Sequence, residues 1–194
     1  MIAFVKGNFV RKTPAQVLVD VHGVGYELHI SLNTYSSIQN LDQGQLFTYF
    51  HVREDAQVLF GFFDEAEKNL FLQLIGVSGV GAATARMMLS SMKPTELVRA
   101  ITESNVRLLE SIKGIGKKSA ERIVLELKDK FAKTPFDSNI STLKNNSLEQ
   151  DALNALIALG IARPAGEQAI QRVLKADPTL EKIEEVIKKA LKTL

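Results

Sequence analysis

Partial alternation of apolar and polar residues runs through the first 63 residues, in five short segments rich in branched and aromatic side chains. These segments are 2–7, 16–21, 26–30, 46–53 and 57–63. Turn-forming residues separate them at 12–14, 22–25 and 54–56. Short strands spaced in this way predict a closed or nearly closed five-stranded β-barrel of the OB type over residues 1–63, with a short helical turn near 32–38.

At residue 64 the apolar spacing changes to that of a helix. Asp64 followed three residues later by Glu67 is typical of a helix start, and four apolar residues then share one face: Leu70, Phe71, Leu74 and Ile75. Further helices are expected to begin near Gly81, Pro94, Ser104 and Gly116, and the last to end at Lys133. Residues 64–133 are therefore predicted to form an all-α domain.

Residues 134–147 are polar, rich in turn formers and without periodicity, which predicts a flexible linker. A capping-box pattern from Ser147 to Gln150 then introduces an apolar stripe that ends at Gly160 and consists of Leu153, Leu156 and Leu159.

Two more helices complete the predicted C-terminal domain, residues 148–194. Pro164 is expected to open the second, and Asp177-Pro178-Thr179 the third, whose apolar face consists of Leu180, Ile183, Ile187, Leu191 and Leu194. A three-helix (UBA-like) bundle of this size buries only a small core. We therefore interpret it as a docking unit rather than a catalytic one.

The helical segment contains a repeat at a spacing of 35 residues. The first copy is centred on Gly79-Val80-Gly81 and the second on Gly114-Ile115-Gly116. Each has a helix, a tight turn made of an apolar residue between two glycines, and a second helix. This pattern is typical of the helix–hairpin–helix motif and predicts a tandem of two.

These turns are suited to binding a phosphate. Glycine permits positive φ and lets a phosphate come close to the backbone. The apolar residue between the glycines, Val80 or Ile115, is expected to enter the core and fix the turn. The free N–H groups at the start of the next helix then face an anion, which the helix dipole also attracts. Such contacts read no base edge, so the predicted DNA binding is independent of sequence.

The two copies differ in charge. The second has Lys117 and Lys118, which add cations to the amide groups, whereas the first has Ala82 and Ala83 and depends on the amides alone. Two arginines one turn further on are expected to reach flanking phosphates: Arg86 and Arg122. For one copy alone, a turn that merely links packed helices is the alternative interpretation. Two copies at a fixed spacing favour binding.

A nucleotide-binding loop does not fit these glycines. A P-loop needs Lys and then Ser or Thr after its last glycine, but Ala82 follows Gly81 and Lys118 occupies the Ser/Thr position in the second copy. Thr84 stands where a dinucleotide fingerprint needs glycine. We expect no ATP hydrolysis by this chain alone.

Charge is distributed unevenly along the chain. The formal net charge of +2 divides into −1 for residues 1–63, +3 for 64–133 and 0 for 134–194. The middle segment is therefore the candidate anion binder. Its excess is too small for a simple polycation, so DNA binding must depend on geometry more than on bulk charge.

Several classes of site and location are disfavoured by composition. The chain has no cysteine, which excludes disulfides, a thiol nucleophile and cysteine-ligated metals, and fits a reducing cytoplasm. The three histidines lack metal-ligand spacing and are interpreted as structural: His22, His29 and His51. No apolar run is long enough to span a bilayer, and no secretory signal is recognisable. We expect a cytoplasmic protein with no metal and no cofactor.

Two carboxylates, Glu54 and Asp55, stand at the predicted tip of the hairpin between the last two strands. Acids at such a tip are usually just a solvated turn. Beside a DNA-binding surface they would also repel phosphates and keep strands apart. Two adjacent acids without a third ligand or a basic partner make no convincing metal or acid–base site.

Features along the whole chain together resemble the RuvA family. They are the Phe4-Val5-Lys6-Gly7 strand, the turn at 21–27, the acidic hairpin at 52–62, the paired glycine turns and the segment 155–160. RuvA proteins are the Holliday-junction-binding subunits of the bacterial RuvAB branch migration complex. One departure is visible, because family members often have a basic residue after the first Gly-x-Gly, where this chain has Ala82-Ala83.

The resemblance implies a homotetramer, or two stacked tetramers, matched in symmetry to four-way junction DNA. It implies that the glycine turns hold the backbone of one arm per subunit and that Glu54 and Asp55 form an acidic pin at the junction centre.

The resemblance also implies protein partners. The C-terminal domain would bind the hexameric ATPase RuvB, and the resolvase RuvC would be a further partner. We expect Leu159, Gly160 and Ile161 to dock RuvB, with a core position for Leu159 as the alternative. The chain itself would have no catalytic residue, because the ATP-driven activity belongs to RuvB.

Two other functions are weighed against this interpretation. A repair glycosylase or nuclease could grip duplex DNA with the same hairpins, but it would need a catalytic Lys/Asp pair or a carboxylate cluster in a pocket. Asp129 follows the second hairpin, but no matching substrate domain is present. A single-strand-binding OB protein would need exposed aromatics, and Tyr26, Tyr35 and Tyr49 are too few.

Overall fold

The computed structural model describes residues 1–133, 148–177, 180 and 182–193. The chain divides into two compact units, one within residues 1–139 and the other within 140–194. The linker predicted over 134–147 and the capping residue Ser147 lie outside the described residues.

Five strands close into a barrel in the order β1-β2-β3-β5-β4, in which β3 and β5 are parallel and the other neighbours antiparallel. The strands are β1 (Phe4–Lys12), β2 (Gln16–Val21), β3 (Val24–Ile30), β4 (Gln43–Val52) and β5 (Gln57–Phe62). Helix α1 (Leu32–Ile38) lies between β3 and β4. The predicted five-stranded OB-type barrel and its helical turn are confirmed.

The barrel interior is filled by apolar side chains from every strand and from α1. They are Val5, Phe9, Val17, Val19, Leu28, Ile30, Ile38, Leu46 and Leu59. Gly61 faces the same interior, and a Cβ built on it would lie 2.8 Å from Leu28 Cδ2. Because that distance is far below a normal contact, the interior has no room for a side chain at this position.

Five helices follow the barrel within residues 64–133. They are α2 (Glu65–Ile75), α3 (Ala82–Ser91), α4 (Pro94–Thr102), α5 (Val106–Glu110) and α6 (Lys117–Lys133). All five begin within two residues of their expected starts. Asp64 caps α2 as predicted, since its Oδ1 accepts a hydrogen bond from the Glu67 amide at 2.7 Å.

The barrel and the helices share an apolar boundary. Phe60 and Phe62 on β5 belong to the core cluster of the helices. Their ring centroids lie 5.2 and 4.9 Å from that of Phe71 on α2. Aromatic contacts at this spacing bury a large area and fix the ring orientations.

A buried carboxyl group also joins the two layers. Glu67 is only 2% exposed, and instead of returning to its own helix end it accepts hydrogen bonds from the hydroxyls of Ser31 and Thr34. Ser31 is the N-cap of α1, and Thr34 Oγ1 accepts from the Phe63 amide at 3.1 Å. Burial raises the pKa of the Glu67 carboxyl above its usual value, and the two hydroxyl hydrogen bonds oppose that rise.

In the C-terminal unit the described residues form three helices, which confirm the predicted helical domain. They are α7 (Leu148–Ala158), α8 (Arg163–Ala176) and α9 (Ile183–Leu191). Their core consists of Ala152, Leu153, Leu156, Ala169, Ile170, Val173, Leu180, Val186 and Ala190. Pro164 stands in the first turn of α8, as expected.

The predicted start of the third helix at Asp177 is wrong. The Asp177 amide donates to Val173 O at 2.9 Å, so this residue ends α8. Helix α9 begins at Ile183, with Lys182 as its extended N-cap. Asp177 Oδ2 instead accepts from Lys189 Nζ at 2.8 Å, a contact between helix ends that local sequence rules do not predict. Leu194 lies outside the described residues.

Across the described ranges, none of the helices combines the length and the apolar character needed to cross a membrane.

Replacing Gly61 with alanine is expected to destabilise the chain by about 2 kcal/mol, because the added methyl group overpacks the barrel interior. Gly25→Ala is the matched control, since a Cβ there meets Leu18 Cδ1 at an ordinary 3.4 Å. Urea unfolding of the two variants measures the difference, and equal stabilities would contradict the close packing at Gly61.

Glu67→Gln is expected to change the pH dependence of stability. Because the folded pKa of Glu67 lies above the usual 4.5, ionisation costs more in the folded state. The wild-type free energy of unfolding should therefore fall, relative to the variant, as pH rises from about 4.5 through the folded pKa. Unfolding curves of both proteins between pH 4 and 8 test this, and a difference that does not vary with pH would refute it.

Candidate nucleic-acid interface

The two glycine turns of the repeat have the same backbone structure. We name them the first corner (residues 76–81) and the second corner (residues 111–116). Gly79 has φ 90° and Gly114 has φ 91°. The amides of Val80 and Ile115 each donate to the carbonyl three residues earlier, both at 3.0 Å. Because positive φ is costly for other residues, both corners depend on glycine here.

The apolar residue of each corner enters the helical core, as predicted. Val80 and Ile115 are each 5% exposed and belong to the same apolar cluster. Both the side chains and the amides of these two residues therefore make contacts within the chain. The backbone that faces outward is the segment directly after each corner.

The backbone after each corner begins a helix with free donors. In α3 the first helical bond runs from Ala85 N to Gly81 O at 2.9 Å, and in α6 from Ala120 N to Gly116 O at 3.0 Å. The N–H groups of the intervening residues have no partner inside the helix. Gly81 supplies no side-chain cap. Two helix ends are therefore open to an anion.

The second glycine of each corner is not required by the chain itself. Gly81 has φ −82° and ψ 166°, an extended conformation that any residue adopts. A Cβ built on Gly81 or Gly116 meets no atom within 4 Å. A residue with a capping side chain would serve the helix better at this position. The absence of a side chain at Gly81 and Gly116 leaves the start of each following helix open to solvent.

Cations surround only the second corner. Lys117 and Lys118 are exposed at the start of α6, and Lys113 is exposed within the corner. The sequence prediction missed Lys113, although its position next to Gly114 in the repeat could have shown it. The matching residues at the first corner are uncharged: Ser78, Ala82 and Ala83.

The two arginines expected to flank phosphates have different surroundings. Arg122 is exposed at the surface and pairs with Glu126 at 2.9 Å. Arg86 is half-buried against the barrel, where its NH1 donates to Ala15 O at 3.1 Å and lies 3.1 Å from His29 Nδ1. Burial lowers the pKa of His29, and the charge of Arg86 lowers it further, so His29 is suited to accept this hydrogen bond.

The acidic pair lies at the tip of a tight hairpin, as predicted. Val52 on β4 pairs with Gln57 on β5, and the Arg53 amide donates to Ala56 O at 2.8 Å. Glu54 and Asp55 occupy the centre of this turn and are exposed. Both corners and this acidic hairpin belong to one compact unit.

No metal-binding cluster forms in the part of the chain that the structure describes, where no three His, Cys, Asp or Glu residues come together. His22 lies in the β2–β3 turn and His51 on β4, its ring 5.9 Å from that of Tyr49. The three tyrosines pack toward the apolar clusters, Tyr26 and Tyr35 against the barrel core and Tyr49 against the helical core.

The expected docking residues in the C-terminal unit form an exposed turn. Leu159 is 62% exposed, so it is not a core residue. Gly160 has φ 89°, and the Ile161 amide donates to Leu156 O at 3.0 Å to close the end of α7. The turn therefore presents one large apolar side chain to solvent.

Three family models match the chain. The RuvA N terminal domain covers residues 1–61, a SAM-like helix-hairpin-helix tandem covers 71–129, and the RuvA C-terminal domain covers 147–194.

Relatives match over the full length. The chain is 42% identical over 197 residues to a protein of Cytophaga hutchinsonii, with 99% of each chain covered. It is 43% identical over 202 residues to one of Bacteroides fragilis and 44% identical over 199 residues to one of Parabacteroides distasonis, with 100% of each chain covered. All three are named Holliday junction branch migration complex subunit RuvA. With its closed barrel, its two glycine corners and its terminal helical unit, the chain belongs to the RuvA family.

Proposed function

We propose that this chain binds four-way junction DNA, independently of base sequence, as a non-catalytic subunit of a branch migration complex. The observation that carries the proposal is the pair of identical corners, each followed by a helix end with free amides and by a glycine that the chain does not itself require. The names of its full-length relatives support the same function.

The corners bind phosphates through their backbone. Amide groups at a helix N-terminus attract an anion through both hydrogen bonds and the helix dipole. Gly81 and Gly116 leave space in which a phosphate can approach those amides. Lys113, Lys117 and Lys118 add point charges at the second corner. Because none of these groups is aimed at a base edge, the contacts position the backbone without reading sequence.

The acidic hairpin acts at the junction centre. Glu54 and Asp55 are exposed at its tip, and each carries a negative charge that repels phosphates. A four-way junction brings four backbones together, so a repulsive tip keeps the crossing strands apart. This is the role we assign to the two residues as an acidic pin.

Assembly matches the symmetry of the DNA. We propose a homotetramer, or two stacked tetramers, in which each subunit holds one arm. The domains are 1–63, 64–133 and 148–194, with the linker 134–147 before the last. In the C-terminal domain the exposed turn at Leu159, Gly160 and Ile161 docks the RuvB ATPase, and RuvC is a further partner. The assembly works in the cytoplasm.

The alternatives have less support. A single-strand-binding barrel needs exposed aromatic platforms. The three tyrosines weighed for that role do not supply them, because Tyr26 and Tyr35 pack on the barrel core and the Tyr49 ring lies 5.6 Å from that of Phe71. A repair nuclease needs a carboxylate cluster that can hold a metal, and the described residues bring together no such group.

Replacing both Gly81 and Gly116 with alanine is expected to reduce junction affinity at least tenfold, or by about 1.4 kcal/mol, because each methyl group blocks the approach of a phosphate. Stability should change by about 1 kcal/mol or less, because alanine caps a helix less well than glycine but also loses less conformational freedom on folding. Binding is measured by titrating labelled four-way, duplex and single-stranded DNA, with sizing of the complexes.

Gly25→Ala is the control, since it adds a methyl group to the barrel away from both corners. A double corner variant that folds and binds the junction like the wild type would refute the phosphate role of the corners. Wild-type protein with no preference for the junction over duplex would refute the proposed function as a whole.

Neutralising the acidic tip with Glu54→Gln and Asp55→Asn is expected to tighten junction binding about fivefold, which corresponds to about 1 kcal/mol of removed repulsion. The matched control is Glu184→Gln with Glu185→Gln, which removes two exposed charges from the C-terminal unit. Equal tightening by both variants would show an effect of total charge and contradict a local role of the tip.

A further inference from the structure

Arg86 and Arg122 are not equivalent in the repeat. Thirty-five positions after Arg86 stands Glu121, and thirty-five positions before Arg122 stands Met87. Met87 is 43% exposed. One residue corresponds to about 100° around a helix, so Arg122 lies on an outer face of its helix while Arg86 is turned toward the barrel.

The guanidinium of Arg86 binds two separate parts of the barrel. Its NH1 donates to the carbonyl of Ala15, in the turn between β1 and β2, and it lies equally close to His29 Nδ1 on β3. The Ala15 carbonyl also accepts from the Ile30 amide at 3.0 Å. Arg86 therefore adds a hydrogen-bonded contact between α3 and a part of the barrel that is already closed by the hydrogen bond from Ile30 to Ala15.

This tie connects the first corner with the acidic hairpin. Helix α3 begins directly after the first corner. His29 pairs with Phe60 on β5, and their ring centroids lie 5.9 Å apart. Strand β5 begins at the acidic hairpin. The first corner is thus connected to the acidic hairpin through helix α3, Arg86 and the paired strands β3 and β5.

Other hydrogen bonds that hold α3 lie at its C-terminal end. Asn33 Nδ2 donates to the carbonyls of Leu89 and Met92, and the Leu32 amide donates to Ser90 Oγ at 3.1 Å. All three acceptor residues stand at the C-terminal end of α3. Among these hydrogen bonds, that of Arg86 is the nearest to the first corner.

We propose that Arg86 is a positioning residue that holds the first corner at a set distance from the acidic hairpin, and so determines the preference for four-way junctions over linear duplex. It contacts no phosphate. This inference rests on the proposed function. The first corner then binds its phosphate by amides alone, and the salt dependence of binding comes from the lysines of the second corner.

The test compares Arg86→Met with Lys118→Met in the full-length chain. Affinities for a synthetic four-way junction and for a linear duplex of the same arm sequence are measured over a series of salt concentrations. For Arg86→Met we expect the junction-to-duplex affinity ratio to fall about tenfold, the effect of one lost charge-assisted hydrogen bond, with an unchanged salt slope. For Lys118→Met we expect the log–log salt slope to fall by about 0.9 and the ratio to stay near the wild-type value.

A double-mutant cycle identifies the partner of Arg86. His29→Phe keeps a ring against Phe60 but removes the acceptor atom. If Arg86 acts through His29, the double variant should change the ratio no more than Arg86→Met alone. Arg86→Lys, which keeps a donor, should restore part of the ratio. The Ala15 carbonyl keeps its Ile30 partner in every variant, so each is expected to fold, and thermal unfolding checks this.

A salt slope that falls by about 0.9 in Arg86→Met with an unchanged ratio would overturn the proposal, because it would show a lost phosphate contact. So would an Arg86→Met variant in which both the junction-to-duplex ratio and the salt slope stay at their wild-type values. These outcomes differ from failure of the proposed function, in which the wild type itself would show no junction preference.

Discussion

The interface depends on the burial of one side chain between two glycines. Val80 and Ile115 are held in the helical core, and each holds a turn whose first glycine has positive φ. That arrangement directs the start of the next helix outward, where its first amides have no partner within the helix. A packing interaction worth a few kcal/mol thus determines the position of the donors that face solvent. The same design at both corners presents two such donor sets from one unit.

On the proposed function, the corners can recognise the shape of a junction only if the barrel is fixed relative to the helices. The contact of Phe60 and Phe62 with Phe71 buries apolar area between the barrel and the helices. Buried area alone specifies their relative orientation only weakly. Hydrogen bonds specify the orientation more strongly. The buried Glu67 carboxyl accepts from two hydroxyl groups, and a carboxyl without such partners at that depth would be costly. Both kinds of contact act at the boundary from which the acidic hairpin extends.

Local features of the interface could be predicted from the sequence, and long-range ones could not. The repeat predicted both corners and both buried residues because a helix, a turn and its glycines are set by neighbours in the chain. The Asp64 cap and the acidic tip are local in the same way. In a capping box the side chain of Glu67 would return to the start of its own helix, but its hydrogen-bond partners stand more than thirty residues earlier in the chain. Asp177 resembles a helix start in sequence, yet its carboxylate contacts Lys189 across the bundle. Such pairs are decided by tertiary packing.

Arg86 shows how this limit affects function. A cation one turn after a glycine corner resembles a phosphate ligand, and the repeat itself places it one residue away from its apparent counterpart Arg122. Its NH1 group instead lies against Ala15 and His29 of the barrel. On the proposed function this is consistent with the small net charge of the helical segment. Strands that must slide during branch migration cannot be held by many fixed charges, since each phosphate neutralised by a lysine or arginine adds to the salt-dependent affinity. On that proposal, amide contacts at one corner, a few lysines at the other and repulsion at the tip would hold the junction's geometry while leaving the strands free to move.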